Sequence, residues 1–596
     1  MTKTHFLNVV IVIAISLAGM SIACGNAPVL NLQSLTITPR TAGVGPGGTV
    51  QFSAATSGSA SGIVWSVNGT VGGSATAGTI TADGQYTAPQ GASPALVSIN
   101  ATIGSDVNSS GVATVEIVPT GTVTATPNPQ VASYSLSVPG SSTVHVEFGP
   151  DTNYGLDTST QQTSVTGSQV KFWVAGMRAF TAYHMRAVVQ FPDGTIFDDA
   201  DHVFTTQGAS PGQIPALTAA TTAGMTPQGG VELVDLVGSS QERVVVTDLS
   251  GNVIWFFDIG SPALIPNPAK LLPDGNFLIN YSEGTVDGLG SILEEVDLAG
   301  NVVWQMTAAD LNTALAAAGY DITVVGTHHD VAALPNGHLV VIASTNKDFT
   351  NLTGYPGTTT VSGDVLIDLD TNRKPVWVWS EFDHLDVNRH PMEFPDWTHT
   401  NAILYSPDDG NLIISVRHQH WVIKIDYEDG SGSGDIIWKL GWQGDFKLVG
   451  GTDPFDWFYA QHGPSFASSN TSGVFDMVIF DNGNGRPKSD GTPCGFGPGS
   501  PCYSTVPLLQ IDENAKTATI QWRETLSVFS FFGGNAEVLA NGNVEFDECA
   551  SSTGTASVYE VTQDPQNPQV VWQLQVTGHN AYRAFRIPSL YPGVQW

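Results

Sequence analysis

From residue 34 onward, short apolar runs alternate with turn residues. The strings LTITP, TVQFSAA, IVWSVNG and GVATVEIV carry this alternation to about residue 118. A period of two marks strands with one buried face, and closely spaced turns predict a β-sandwich over 34–118. A second set of strands runs from VTATPNP through HMRAVVQFPDGTIF to HVFTT and predicts another small sandwich over 119–207. QGASPGQ (207–213) reads as a linker. His145, His184 and His202 are isolated within these segments, and nothing around them suggests chemistry.

The pattern changes to a long-period repeat over 215–596. A short apolar strand ending in Trp recurs as GNVIW (Trp255), GNVVW (Trp304), KPVWVW (Trp377, Trp379), GDIIW (Trp438), ATIQW (Trp522) and QVVW (Trp572). Between these strands a turn followed by a strand recurs: PDGNFLI, PNGHLVV, DDGNLII, SGVFDMVI and ANGNVEF. Each spacing leaves room for four strands, the signature of a propeller. Six Trp strands predict six blades, and YRAFRIP near the C-terminus is expected to complete a blade with the start of the series. The predicted fold is therefore all-β: a six-bladed β-propeller preceded by two small β-sandwich domains.

Composition agrees, since 64 Gly and 35 Pro supply many turns. Lys plus Arg number 21 against 54 Asp plus Glu, a formal charge of −33. No basic field exists for nucleic acid or an anionic membrane surface. The N-terminus reads as a signal peptide over 1–23, with Lys3 before an apolar run from Leu7 to Met20. Ser21-Ile22-Ala23-Cys24 resembles a bacterial lipobox, with Ser21 where Leu is usual. Residues 24–33 read as a linker. The expectation is an exported protein, periplasmic or tethered to the outer membrane through a lipid on Cys24, with no other membrane contact. Cys494 and Cys502 bracket GFGPGSP, and an oxidising compartment predicts a small-loop disulfide there, leaving Cys549 over.

Nine of the 14 His lie between His328 and His462. The segment from His399 to Arg417 reads as a hairpin turning at Pro407-Asp408-Asp409-Gly410, with paired positions summing to about 816. His399 and Arg417 then face each other at the open end, with Asn401 on the face of His399. His328-His329-Asp330 and Gln461-His462-Gly463 precede similar turns, and His579-Asn580 stands before the last strands. Equivalent positions of successive blades surround one axis, so these residues are expected to converge on one mouth of the channel. Arg, His and amide donors suit a tetrahedral oxyanion such as a sulfate or phosphate ester. Three His could instead bind zinc or copper, but Arg417 would repel a cation. Neither a metal nor another cofactor is expected.

The strings HHDVAALPNGHLVV, DWTHTNAILYSPDDGNLIISVRHQHWVIKID, IIWKLG, AQHGPSF and FDNGNGR resemble bacterial arylsulfate sulfotransferases over about 225–590. VWSVNGTVGGSATAGTITADGQYTAP resembles bacterial immunoglobulin-like domains, and 119–207 looks like a fibronectin-type-III sandwich. The sulfotransferase resemblance implies transfer of a sulfuryl group from a phenolic sulfate ester to a phenol through a sulfohistidine, without phosphoadenosine phosphosulfate. By the same resemblance His462 is the nucleophile. His399, Asn401 and Arg417 hold the sulfuryl oxygens, helped by His328 or His329, with His328 slightly favoured. Trp397, Trp421, Trp457, Phe458 and Tyr459 are candidates to flank a phenolic ring, or else pack the blades. Two other readings stand beside this one: a non-enzymatic cell-surface binding module, and an aryl sulfate hydrolase. The oligomeric state is left open.

Overall fold

A computed structural model describes residues 34–56, 62–104, 106–237, 243–261, 264–283, 290–392, 394–497, 499–550 and 554–596. The signal segment and Cys24 lie outside the described residues. Strand accounts for 52% of the chain and helix for 4%, which makes the protein all-β. No helix among the described residues is long and apolar enough to cross a membrane.

Two compact units divide at Ile117/Val118. The first holds small sheets, the largest of which joins Thr41–Val44, Asp106–Ile117, Ala95–Ile103, Ile63–Val67 and Thr70–Val71. Its alternating side chains bury Phe52, Trp65, Tyr86, Ile99 and Val115. In the second unit, strands from Thr122–Ala125 to His202–Thr205 form a three-stranded and a six-stranded sheet. These share one hydrophobic core with residues from 231–298 and the C-terminal Leu590 and Tyr591. Gln130 Nε2 donates to the Val253 carbonyl at 2.8 Å, and Arg178 Nη2 lies 2.6 Å from Asp248.

Among the described residues six sheets follow in chain order, each built on four consecutively paired antiparallel strands. Sheet I comprises Asn580–Ile587, Val231–Val237, Arg243–Thr247 and Val253–Phe257, so the last strand pairs with the first of the series. Sheets II to VI begin at Leu264–Leu271, Val324–Ala333, Thr400–Ser406, His462–Phe466 and Ala536–Val538. The turn motifs in the sequence join first to second strands in sheets II to VI. The Trp motifs are the fourth strands of all six.

The Trp repeat has a physical reason. Trp255, Trp379 and Trp572 donate their indole N–H to Leu298, Gly434 and Leu249, carbonyls in the third turn of the next sheet. Trp438 reaches Glu513 in the same turn of sheet V, and Arg373 of sheet III stacks its guanidinium 5.2 Å from the Trp304 ring. Trp572 links sheet VI back to sheet I. The first strands also meet around one cavity of about 180 Å³, to which all six sheets contribute: Arg583, Lys270, Asp330, Ile403, Pro464 and Ala536.

Candidate functional site

The innermost strands are irregular where the candidate residues sit. Register shifts fall between Thr327 and Val331, Thr400 and Ala402, and His462 and Ser465; another on sheet I spans Tyr582 and Arg583. An extra residue in a strand leaves the ladder and re-aims its side chain. The hairpin of sheet IV pairs Thr400 with Val416, sum 816, but pairs sum to 817 from Ala402 onward because Asn401 bulges. His399 precedes that strand with φ 53°, and His329 has φ 61°. Left-handed backbone at a non-glycine residue costs on the order of 1 kcal/mol. Simple alternation therefore does not place His399 and Asn401. His328 lies inside the strand Val324–Ala333, at its bulge, whereas His462 begins its own strand.

These distortions bring four of the predicted histidines together. The rings of His329 and His399 stand 4.6 Å apart, edge to face, and His328 packs 4.7 Å from His329. His462 lies close enough for its charge state to influence His329. Tyr582 bridges the group, 5.9 Å from His329 and 6.4 Å from His462. His329 occupies the middle. His328 stands behind it, its Nε2 3.0 Å from Asp364 Oδ1. His579 is half-buried, one residue before the strand Asn580–Ile587.

His462 is fully buried, and its protonation pattern is defined by its partners. Asn482 Nδ2 donates to the carbonyls of Ser530 (2.9 Å) and Gly533 (3.0 Å), which turns the amide oxygen toward His462. His462 Nδ1–H therefore donates to Asn482 Oδ1 at 2.7 Å. The lone pair is left on Nε2, where the Gly533 N–H approaches at 3.4 Å. Burial, then the charges of Arg417 and Arg583, hold this imidazole well below its ordinary pKa against the pull of the Asn482 bond. The ring is a neutral base with its free nitrogen defined. A side chain on Gly463 would collide with Arg583 and Asn535, so only glycine lets the chain leave His462 this way.

Asn401 is buried and donates from Nδ2 to the Gln461 carbonyl at 2.8 Å, tying sheet IV to the residue before His462. Arg417 donates from Nη1 to His418 Nε2 (2.8 Å) and from Nη2 to the Phe531 carbonyl (3.3 Å). His399 Nδ1 donates to Asp396 Oδ2 at 2.7 Å and stacks on His418 at 4.5 Å. Asp396, His399 and His418 are close enough to suggest a metal. However, His418 Nδ1–H donates to the Asp396 carbonyl at 2.7 Å, while its Nε2 accepts from Arg417. No lone pair remains on that ring for a cation. Burial, then His399 and Arg417, push the His418 pKa down to about 3.

Cys494 and Cys502 are bonded, with Cα atoms 5.3 Å apart, and Cys549 is a buried free thiol. The loop they close is tied to the site by Asn484, which donates to the carbonyls of both Phe496 and Phe531. Trp397, Trp421, Trp457, Phe458 and Tyr459 are buried: Trp457, Phe458 and Tyr459 pack in one hydrophobic core, Trp421 in a second, and Trp397 stacks on Phe382. Half-buried aromatics beside Arg417 come instead from Phe529, Phe531 and Phe532. Asn482, Asp364, Asp396, His418 and Tyr582 were not singled out from the sequence. Asn482 lies in the FDNGNGR string and His418 follows Arg417, so local context marked those two. Asp364 and Tyr582 carry no such mark.

A family model described as Arylsulfotransferase (ASST) matches residues 217–586. No curated protein matches the chain. Similar solved structures include a candidate 6-phosphogluconolactonase from Bacteroides uniformis ATCC 8492, at 9% identity and TM-score 0.31, covering 75% of this chain and 100% of that one. A DUF4221 family member from Bacteroides vulgatus ATCC 8482 has 8% identity and TM-score 0.29, covering 63% and 98%. Likeness at this level assigns neither fold nor activity.

Proposed function

The chain belongs to the arylsulfotransferase family, and on that premise we propose that it moves a sulfuryl group from a phenolic sulfate ester to a phenol by ping-pong chemistry through a sulfohistidine on His462. The observation that carries this reading is the imidazole itself: buried, neutral, and held by Asn482 in the tautomer that keeps its lone pair on Nε2, met only by the long 3.4 Å approach of the Gly533 N–H. In the first half-reaction Nε2 attacks sulfur, and the sulfur–oxygen bond to the aryl group breaks with its electron pair on the phenolic oxygen. In this reading Arg417, His399 and Asn401 stabilise charge on the sulfuryl oxygens. In the second half-reaction a phenol oxygen attacks sulfur, and His462 leaves with its lone pair restored. Phosphoadenosine phosphosulfate takes no part.

The proposal extends to the scaffold. The six sheets are read as the blades of a closed propeller, supported by Trp links at five of the six sheet-to-sheet junctions and by the cavity lined from all six first strands. The N-terminal sheets are read as an immunoglobulin-like module and a fibronectin-III-like module. The protein is read as exported and tethered through a lipid on Cys24. Incubation with p-nitrophenyl sulfate should release nitrophenol continuously only when a phenol acceptor is present, and His462→Ala should abolish release. Release that ignores the acceptor would favour hydrolysis instead.

A further inference from the structure

Behind His329 lies a chain of polar groups that the transfer step does not use. Asp364 is buried, and its Oδ2 accepts hydrogen bonds from the Thr400 N–H (2.6 Å) and Thr398 Oγ1 (3.0 Å). Its Oδ1 faces His328 Nε2 at 3.0 Å, so that nitrogen carries a hydrogen. His328 Nδ1 in turn lies 2.6 Å from His329 Nδ1. Two ring nitrogens at that distance share one hydrogen, because two would clash and none would leave lone pairs opposed. Glu381 closes the back of the chain, accepting the Asp364 N–H at 3.1 Å. Burial and the neighbouring Asp364 charge hold its carboxyl well above the usual range.

We propose that Asp364 and His328 form a proton relay that makes His329 the acid for the departing phenolate and the base for the incoming phenol; this rests on the sulfotransfer reading above. In the resting arrangement His328 is an imidazolium, donating from Nε2 to Asp364 and from Nδ1 to His329, and His329 carries its own hydrogen on Nε2. As the sulfur–oxygen bond breaks, His329 Nε2–H passes to the aryl oxygen and His328 Nδ1–H passes to His329 Nδ1. His328 ends neutral, still bonded to Asp364, and phenol leaves. When the acceptor phenol attacks sulfohistidine, its proton goes to His329 Nε2 and the His329 Nδ1–H returns to His328. One proton leaves in the first half-reaction and one returns in the second, so the enzyme ends as it began. His328 and Asp364 are positioning residues in this scheme, since neither touches substrate.

The test is the dependence of the donor half-reaction on leaving-group basicity. Nitrophenolate departs readily without an acid, whereas phenolate does not. His328→Gln and Asp364→Asn should each lose less than about tenfold with p-nitrophenyl sulfate and about a hundredfold or more with phenyl sulfate, within the range of general acid catalysis. Equal losses with both donors would overturn the relay. Wild-type protein supplies an independent measurement, because the relay predicts similar half-reaction rates for the two donors. A wild-type rate that falls steeply from nitrophenyl to phenyl sulfate would also overturn it. Folded wild type that releases no phenol from any donor would overturn the sulfotransfer reading, and the relay with it.

Discussion

The Asn482 amide oxygen accepts the Nδ1–H of His462 at 2.7 Å, and two backbone carbonyls prevent the amide from turning round. One asparagine thus sets both the orientation and the tautomer of the nucleophile. Asn482→Ala removes both controls while leaving His462 in place. The expected result is a fall of about a hundredfold or more in the donor half-reaction rate, comparable to loss of other positioning groups in preorganised sites, measured by rapid-mixing release of nitrophenol.

Arg417 has two roles that a substitution separates. Its charge helps keep His462 neutral, and its guanidinium is held by His418 and the Phe531 carbonyl beside the histidine group. Arg417→Ala should lower the rate by about 10²–10³-fold, the usual loss for a donor that stabilises developing negative charge. Arg417→Lys should recover only part of this, because an ammonium cannot reproduce the planar fork. Single-turnover rates with p-nitrophenyl sulfate measure both variants.

The pH dependence has a definite sign. The folded pKa of His462 lies well below that of free imidazole, through burial and the charges of Arg417 and Arg583. An unperturbed imidazole would be only about one quarter neutral at about pH 6. Buried His462 stays neutral there, so the burst rate with p-nitrophenyl sulfate should not fall between about pH 8 and about pH 6. A roughly fourfold fall would place the nucleophile's pKa at its ordinary value.

The pairing of the last strand with the first of the series is backed by a buried charge cluster. Arg586 of the last strand meets Glu232 and Glu545 at 2.8 Å each and Glu560 at 3.2 Å. Arg586→Ala strands these carboxyls without their cation and should cost about 3–5 kcal/mol. Burial pushes Glu232 up to about 7 despite Arg586, and holds Glu545 well above the carboxyl range. A carboxyl with a raised folded pKa keeps its proton in the fold, so its contribution falls as pH rises from its unfolded value toward its folded one. Removing Arg586 widens that window upward. Thermal denaturation should therefore show a larger penalty at about pH 8 than at about pH 5.5.

Much of this was legible from periodicity. The Trp motifs fall on the fourth strands, where five of the six rings contact the third turn of the next sheet, and the turn motifs fall on first hairpins because tight turns need Gly, Asn and Asp. The bulges were not legible. Strand alternation places His399 and Asn401, and position before a turn places His328, yet each sits at or beside a register shift that neither pattern describes. Trp397 and Tyr459 were candidates for ring contacts because aromatics suit both cores and pockets, and burial alone separates the two roles. Asp364 and Tyr582 could not be found from sequence. Asp364 meets His328 from the third strand of the same sheet and Tyr582 meets His329 from sheet I, and nothing near either in the chain marks the partner it meets.

The central claim is that His462 carries the sulfuryl group between donor and acceptor. Incubation with p-nitrophenyl sulfate alone, rapid quenching under alkaline conditions and peptide mass spectrometry test it directly. The account predicts a peptide containing His462 heavier by one sulfuryl group, formed with the nitrophenol burst and lost when phenol is added. An active, folded enzyme that releases nitrophenol while the His462 peptide stays unmodified, or that carries the group on another residue, would contradict it.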